Sequence, residues 1–296
     1  MATNALHTTL RTGAVLAAAL VATSACLSGG EAAATVTRSA RTQTPDGLGT
    51  EPVISVRGGC PLRLPARLPS RTRVVPILMY HRIAVASPST PAITRRLTVH
   101  PATFARQMRW LKRHSYRTVT QRQLFEGLMC GRRLGRKPIV ITFDDGYRDN
   151  YLNASPVLAR LGMRATAYVI TGRISGSDRS FLRWRQVRGL ERRGVEIGSH
   201  TVSHRALTGL SDSQAFAELV RSRRTLERRL GHRVPWLAYP FGAYDARIER
   251  LARRAGYVLA VTTQWGTRQS ARRPLALQRL RVLDSTGVRG LAAMLG

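Results

Sequence analysis

ITFDDGYRDN, residues 141 to 150, places two aspartates side by side at the end of an apolar run. The β-branched residues from 138 to 143 predict a buried strand, and Gly146 breaks the pattern. Neighbouring side chains on a strand point to opposite faces, so Asp144 and Asp145 cannot both face one side of a regular strand. Two carboxylates at the point where a buried strand meets a loop therefore indicate a functional edge of a sheet.

Strand-like and helix-like segments alternate along the rest of the chain. The predicted strands are 74–81, 138–143, 164–170, 195–200, 234–239, 257–263 and 279–283, and the predicted helices are 101–111, 120–129, 150–161, 182–194, 211–231 and 245–255. This alternation predicts parallel β–α–β units in one α/β domain, either a barrel or an open sheet. In such folds the chemistry gathers at the carboxyl ends of the strands, where Asp144 and Asp145 lie.

The charge of the chain is strongly positive, with 48 basic residues against 16 acidic ones and a net charge of +32. All the basic residues except Lys112 and Lys137 are arginine, which favours arginine-rich codon usage over selection for a basic surface. The functional alternative is attraction to a polyanion, either nucleic acid or an anionic cell-wall polymer. The chain has no nucleic-acid-binding motif, so we expect no nucleic-acid partner. The arginines are spread from Arg57 to Arg289, which argues against a discrete binding patch.

The amino terminus is typical of an exported protein. Arg11 precedes an apolar stretch, residues 13 to 26, that is short for a membrane span and suits the apolar region of a secretory signal. We therefore predict a signal in residues 1–34, with cleavage after Ala25 or Ala34. If Cys26 became the first mature residue, it could carry a lipid and attach the protein to the membrane. The expected location is extracellular or the outer face of the cytoplasmic membrane.

The region after the signal is rich in Thr, Pro, Gly and Arg, and we interpret residues 35–70 as a flexible spacer. Residues 71–296 then form the single catalytic domain. Outside the cytoplasm, Cys60 and Cys130 could form one disulfide. The alternative is two unpaired thiols, with Cys130 buried on a helix.

Other predicted strand ends also carry polar side chains. His200 and His204 are four residues apart, so one helical turn would place both imidazoles on one face. Two histidines and a carboxylate are a common ligand set for a hydrolytic metal ion, and the turn at Gly146 can swing Asp145 inward to complete it. Asp144 would then be free to take a proton from water as a general base. The spacing predicts a metal-dependent hydrolase.

Three ordered motifs carry a family resemblance. TFDDGY (142–147), HTVSH (200–204) and YPFG (239–242) resemble the motifs of the polysaccharide deacetylase family, the NodB-type domain or carbohydrate esterase family four. The resemblance extends from about Val74 to Leu283. It implies a distorted (β/α) barrel with fewer strands than a full eight-stranded one. It also implies removal of acetyl groups from N-acetylglucosamine units with a divalent metal, usually zinc, with cobalt or nickel as alternatives.

The resemblance also implies roles for individual residues. The three metal ligands correspond to Asp145, His200 and His204, and the catalytic base corresponds to Asp144. The backbone N–H of Phe241 matches the family's donor to the oxyanion. A second set of side chains is expected to contact the substrate: Tyr147, Tyr239 and Pro240.

Two departures from the family pattern are evident. Ala238 stands where the family has an arginine that orients the catalytic aspartate, and no histidine follows His232 to supply the usual general acid. The strand that ends in MYH resembles a subgroup of poly-N-acetylglucosamine deacetylases, which implies that His81 is the acid. Asp284 is then a candidate to hold the charge of the His81 imidazolium.

These observations predict an exported N-deacetylase that acts as a monomer on a cell-wall or extracellular polysaccharide. Two other functions on the same fold stay open. The first is a catalytically silent glycan-binding protein, which the missing arginine and histidine motivate. The second is an esterase or amidase that acts on a small acylated molecule.

Overall fold

The computed structural model describes residues 59–296. The predicted signal in residues 1–34, the lipidation of Cys26 and most of the predicted spacer lie outside the described residues. Across the described part, no helix is both long enough and apolar enough to cross a membrane.

Strands and helices alternate as the sequence predicts. The strands are β1 (Thr72–Val74), β2 (Ile77–Tyr80), β3 (Arg82–Ile83), β4 (Thr98–Val99), β5 (Arg117–Thr118), β6 (Pro138–Phe143), β7 (Ala165–Val169), β8 (Val195–Ser199), β9 (Trp236–Ala238), β10 (Leu259–Trp265), β11 (Arg268–Ser270) and β12 (Leu277–Arg281). The helices are α1 (Ala92–Arg96), α2 (Pro101–Arg113), α3 (Gln121–Met129), α4 (Ser155–Leu161), α5 (Trp184–Arg192), α6 (Asp212–Leu230), α7 (Ala246–Arg254) and α8 (Val288–Leu295). A single π-helical turn, Asn150–Ala154, precedes α4.

Seven of the strands form a closed parallel barrel. The order around the ring is β2, β12, β10, β9, β8, β7 and β6, and β6 pairs with β2 to close it. The short strand β5 pairs in parallel with the first two residues of β6, Pro138 and Ile139. This arrangement confirms the predicted barrel with fewer than eight strands and decides against an open sheet.

The alternation of side chains along β6 explains where its carboxylate points. Ile139, Ile141 and Phe143 pack in the apolar cluster that contains α2, α4 and α5, outside the barrel. Val140 belongs to a second cluster, inside the barrel and against α3. Because side chains alternate along a strand, Asp144 continues the inward series that begins with Val140.

The folded domain begins about ten residues earlier than the sequence predicts. Leu62, Leu64 and Leu68 pack against the cluster formed by α3 and the barrel interior. The side chain of Arg122 donates a hydrogen bond to the carbonyl of Cys60 (3.1 Å). The last part of the predicted spacer, residues 60–70, is therefore part of the domain. The prediction followed the proline- and arginine-rich composition of this segment and overlooked the three leucines that anchor it.

Cys60 and Cys130 form a disulfide, with their Cα atoms 6.1 Å apart. The bond joins the anchoring segment to the end of α3 and closes a loop of 70 residues. Of the two alternatives that the sequence left open, the structure supports the disulfide.

Replacing both cysteines with alanine is expected to lower the free energy of unfolding by about 4 kcal/mol, because the unfolded chain regains the entropy that a loop of this length removes. Urea unfolding at pH 7 measures the change. Wild-type protein reduced with dithiothreitol is the matched control, and it should unfold at the same urea concentration as the double variant. Equal stability of the oxidised and reduced wild type would contradict the prediction.

Candidate active site

The two adjacent aspartates occupy different backbone conformations. Asp144 continues β6, is 2% exposed, and its backbone N–H donates to the carbonyl of Tyr80 (2.9 Å). Asp145 has a φ of 73°, in the left-handed region that β6 does not use. The change from extended to left-handed backbone turns the side chain of Asp145 back toward the barrel mouth. The carboxylates of Asp144 and Asp145 therefore both face the mouth of the barrel. The sequence predicts this inward swing.

Asp145, His200 and His204 come together with their ligand atoms within 4.8 Å of one another. The Oδ1 of Asp145 lies 3.5 Å from Nε2 of His200 and 3.4 Å from Nε2 of His204. Ligands about 2.0–2.2 Å from a tetrahedral zinc ion lie about 3.3–3.6 Å apart. The Nδ1–H of His200 donates to the carbonyl of Ala238 (2.7 Å), which directs its Nε2 lone pair toward the cluster. The three side chains therefore fit a divalent metal ion.

The histidines are brought together by a loop, which corrects the expectation of a helical turn. Residues 200–204 follow β8 without helical structure, and Thr201 and His204 have φ values of 65° and 62°. Glu218 of α6 holds the loop, because its carboxylate accepts hydrogen bonds from the backbone N–H groups of Val202 and Ser203, both at 2.9 Å. The support comes from a helix that the motif does not contain.

Left-handed backbone is concentrated at this site. Among residues 59–296, seven non-glycine residues have positive φ, and four of them lie in the site loops: Asp145, Thr201, His204 and Phe241. Such conformations cost free energy and persist where the surrounding structure fixes them, often at functional sites. The left-handed residues of these loops therefore orient the side chains and the backbone N–H of the site.

Arg279 is a site residue that none of the sequence motifs indicates. Its Nη1 and Nη2 donate to the two carboxylate oxygens of Asp144, at 2.8 and 2.7 Å. Its Nε donates to the carbonyl of Thr262 (2.7 Å), and the side chain is fully buried. Arg279 of β12 therefore supplies the guanidinium that the family motif would place at the position of Ala238. The strand reads LQRLR and also contains Gln278 and Arg281, so no local sequence pattern singles out Arg279.

The ion pair determines the charge of Asp144. Burial raises the pKa of the Asp144 carboxyl, but the Arg279 guanidinium outweighs burial and leaves the pKa well below its ordinary value. Asp144 is therefore ionised at neutral pH, as a proton acceptor must be.

His81 follows β2 beside the two aspartates, and its Nδ1 is buried without a hydrogen-bond partner among the described residues. Burial lowers the pKa of His81, and although the carboxylates of Asp144 and Asp145 oppose this, the pKa stays below its ordinary value. Asp284 does not take part. It is exposed, and its carboxylate accepts from the N–H of Ser285. The carboxylates that act on His81 are those of the aspartate pair, which corrects the Asp284 prediction.

Phe241 presents a free backbone N–H near the metal ligands. Its φ is 59°, and its N–H donates to no carbonyl or side chain in residues 59–296. Its ring lies 4.6 Å from that of His204, and its side chain is 65% exposed. The amide is thus available to a substrate oxygen, and its predicted role as a donor to the oxyanion stays a prediction.

The three side chains predicted to contact substrate have different surroundings. Tyr147 lines a cleft of about 450 Å³ that also contains Asp145 and His204. Tyr239 and Pro240 are buried, and the ring of Tyr239 stacks on Tyr244 at 5.3 Å. Their side chains cannot touch a substrate in this structure, so that prediction is wrong for both. Their burial instead fixes the turn that presents the N–H of Phe241.

The opening beside Asp145 and His204 is a cleft with polar and aromatic walls, which we call the metal-site cleft. Arg82 is fixed in it, because its Nε donates to Asp149 (2.9 Å) and its guanidinium lies 4.6 Å from the ring centroid of Tyr147. The ring of Tyr147 in turn stacks on Phe181, with centroids 5.0 Å apart. Flat aromatic rings and charged donors around an open groove suit the faces and hydroxyls of a sugar.

Known proteins are similar to this chain over the region that contains the site. A family model described as polysaccharide deacetylase matches residues 131–260, a range that includes Asp144, the three candidate metal ligands and Phe241. The chain is 34% identical over 218 residues to the Bacillus subtilis protein YxkH, which carries the name of a polysaccharide deacetylase, and the match covers 74% of each chain.

Two further relatives extend the comparison. The chain is 25% identical over 207 residues to the poly-β-1,6-N-acetyl-D-glucosamine N-deacetylase of Staphylococcus epidermidis, covering 63% of this chain and 71% of that one. The solved structure of the Streptococcus pyogenes deacetylase PplD in complex with acetate superimposes with a TM-score of 0.71 and 30% identity. That match covers 77% of this chain and 100% of the other.

Proposed function

The chain belongs to the polysaccharide deacetylase family, and from this premise we propose that it is an exported, metal-dependent N-deacetylase. Its substrate would be the N-acetylglucosamine units of a cell-wall or extracellular polysaccharide. The observation that carries the proposal is the arrangement at the barrel mouth. An ionised Asp144, held by Arg279, lies beside a ligand set of one carboxylate and two imidazoles.

The proposed chemistry is hydrolysis of an acetamide to acetate and an amine. A divalent ion held by Asp145, His200 and His204 would polarise the acetamide carbonyl and make water more acidic. Asp144 accepts the proton of the attacking water, and Arg279 holds its carboxylate in place for this step.

The remaining steps use two other groups of the chain. The N–H of Phe241 donates to the carbonyl oxygen as negative charge develops on it. When the C–N bond breaks, His81 supplies a proton to the leaving nitrogen. Because burial lowers its pKa, His81 is neutral before the reaction, and the proton that it passes to the nitrogen is the one that Asp144 has taken from water.

Arg279 removes the main argument for a silent glycan-binding protein. That alternative rests on the missing arginine at Ala238 and on the absence of a histidine after His232. Arg279 supplies the missing guanidinium from another strand, with both of its terminal nitrogens on Asp144. Taking both charges of a buried pair out of water is costly and adds little net stability, so this pair suits a catalytic carboxylate better than a protein that only binds glycans.

Two observations support export and the choice of substrate. The disulfide between Cys60 and Cys130 suits an oxidising compartment outside the cytoplasm. The strand that ends at His81 resembles that of enzymes acting on poly-N-acetylglucosamine, and a relative of that name matches this chain. We therefore expect a β-1,6-linked polymer of N-acetylglucosamine to be a better substrate than a β-1,4-linked one. Attachment to the membrane through a lipidated Cys26 remains part of this proposal.

Acetate release by metal-stripped and zinc-reloaded protein tests the proposal, with β-1,6- and β-1,4-linked N-acetylglucosamine pentamers as substrates. Stripped protein should release no acetate, and one equivalent of zinc should restore release. His204→Ala, which removes one ligand, should fail both to retain zinc by elemental analysis and to release acetate. Release that survives chelation, or none from either pentamer by zinc-loaded protein, would contradict the proposed function.

A further inference from the structure

We propose that a second cleft, next to the metal-site cleft, binds the phosphate or carboxylate groups of an anionic glycan. This inference rests on the proposed function, because it adds anionic groups to the N-acetylglucosamine polymer that the deacetylase acts on. The second cleft has a volume of about 480 Å³, and we call it the arginine cleft. Its lining includes Arg148, Arg179, Arg183 and Arg185, with Ser175 and Trp184.

Three of these arginines lie within one short stretch of the chain, and the tertiary structure adds the fourth, Arg148. Arg148 follows the motif of the two aspartates, Arg179 lies in the loop after β7, and Arg183 and Arg185 flank the start of α5. The spread of arginines along the sequence argues against a discrete patch, but folding collects these four around one opening. No Asp or Glu is among the described residues that line it.

The guanidinium groups in the arginine cleft have no counter-charge within the described chain. The side chains of Arg148, Arg179 and Arg185 make no ion pair or hydrogen bond with any residue between 59 and 296. Where an acidic side chain lies within reach, arginines of this chain do pair with it, as Arg223 does with Glu227 (2.8 Å) and Arg247 with Asp212 (2.8 Å). Like charges held together without a partner repel one another, and a bound anion relieves that repulsion. Guanidinium groups also match the planar oxygens of phosphate and carboxylate.

The position of the arginine cleft indicates a glycan as its ligand. One loop separates the two clefts, because Arg179 lines the arginine cleft and Ser180 lines the metal-site cleft. The backbone N–H of Arg148 donates to the carbonyl of Ser180 (2.7 Å), which ties this loop to the aspartate motif. Arg173, on the same loop, extends the positive charge into the metal-site cleft. A polymer whose acetylated sugar lies at the metal ligands can therefore place a neighbouring anionic group among the arginines.

Binding to purified bacterial wall glycan tests this inference. The protein is the zinc-loaded Asp144→Asn variant, which is used so that substrate is not consumed. One arm uses glycan that carries phosphodiester-linked polymer, a second uses the same glycan after hydrofluoric acid has removed the phosphodiesters, and a third uses glycan with its carboxyl groups amidated. Loss of tight binding in the second or the third arm identifies phosphate or carboxylate as the group bound. We expect binding to weaken about tenfold in one of these arms and to fall with added salt.

A pair of double variants makes the test specific to the arginine cleft. Arg179→Gln with Arg185→Gln should abolish the difference between the arms. Arg250→Gln with Arg253→Gln removes the same charge from exposed positions on α7 and should leave the difference intact. Equal losses in both double variants would overturn the inference, since net charge alone would then explain binding. Equal or tighter binding to vesicles containing phosphatidylglycerol would also overturn it, in favour of a membrane surface.

The same proteins separate this inference from the proposed function. Acetate release from neutral N-acetylglucosamine pentamers, measured with Asp144 restored, depends on the catalytic residues and not on an anionic group. If no pentamer is hydrolysed but the difference between the arms persists, the proposed function fails and the anion site stands. If pentamers are hydrolysed and wild-type binding is equal in all arms, the inference about the arginine cleft fails alone.

Discussion

Asp144→Asn is expected to lower the rate of acetate release by about a thousandfold or more, because an amide cannot accept the proton of the attacking water. The substitution keeps the size of the side chain and retains one oxygen as an acceptor for Arg279. The three metal ligands are unchanged, so zinc should still bind with a stoichiometry of one. Steady-state acetate release on the preferred pentamer, with elemental analysis of the same samples, measures both quantities.

Asp149→Asn is the matched control for this substitution. Asp149 is also a buried aspartate close to the same motif, but its carboxylate binds Arg82 and the N–H of Ile83 rather than facing the metal ligands. We expect the control variant to be less stable and to keep activity within about tenfold of wild type. If Asp144→Asn retained as much activity as this control, another group would have to act as the base.

Arg279→Met is expected to lower both activity and stability. Methionine fills part of the volume, but the Asp144 carboxylate loses both of its guanidinium hydrogen bonds while it stays buried. Removing one partner of a buried ion pair costs about 3–5 kcal/mol, and we expect the free energy of unfolding at pH 7 to fall by that amount. Urea unfolding measures the loss, and acetate release should fall at least tenfold because the base is no longer held.

The pH dependence separates the electrostatic role of Arg279 from simple packing. Arg279 lowers the pKa of Asp144, so its removal leaves burial to raise that pKa, and the acid limb of the rate profile should move to higher pH. The lowered pKa in the folded protein contributes stability above the ordinary pKa of an aspartate, and that stability is lost as pH falls below it. The stability difference between wild type and Arg279→Met should therefore narrow below about pH 4.

A double variant tests whether the lost stability of Arg279→Met comes from the unpaired charge of Asp144. Adding Asp144→Asn to Arg279→Met removes the uncompensated charge, so part of the lost stability should return, although activity should fall further, to the level of Asp144→Asn. Arg279→Lys keeps a positive charge but cannot contact both carboxylate oxygens as a planar fork, so its activity should lie between wild type and Arg279→Met. If Arg279→Met were as stable and as active as wild type, the ion pair would have no role in the site.

The sequence by itself determined the features that depend on neighbours along the chain. The apolar run before Asp144 predicts a strand over 138–143, and β6 has those bounds because a strand buried on both faces consists of consecutive apolar residues. The glycine after Asp145 predicts the turn that swings its carboxylate inward, and the left-handed φ of Asp145 agrees. The candidate metal ligands could likewise be named from short motifs at strand ends.

Only the tertiary structure decided the features that join distant parts of the chain. Arg279 reaches Asp144 across 135 residues of sequence, and no local pattern could pair them because the contact requires the barrel to close through β2 and β6. The burial of Tyr239 and Pro240 and the collection of four arginines around one cleft also follow from packing. Strand and turn preferences act over a few residues, whereas the partner of a buried charge is set by which strands become neighbours in the barrel.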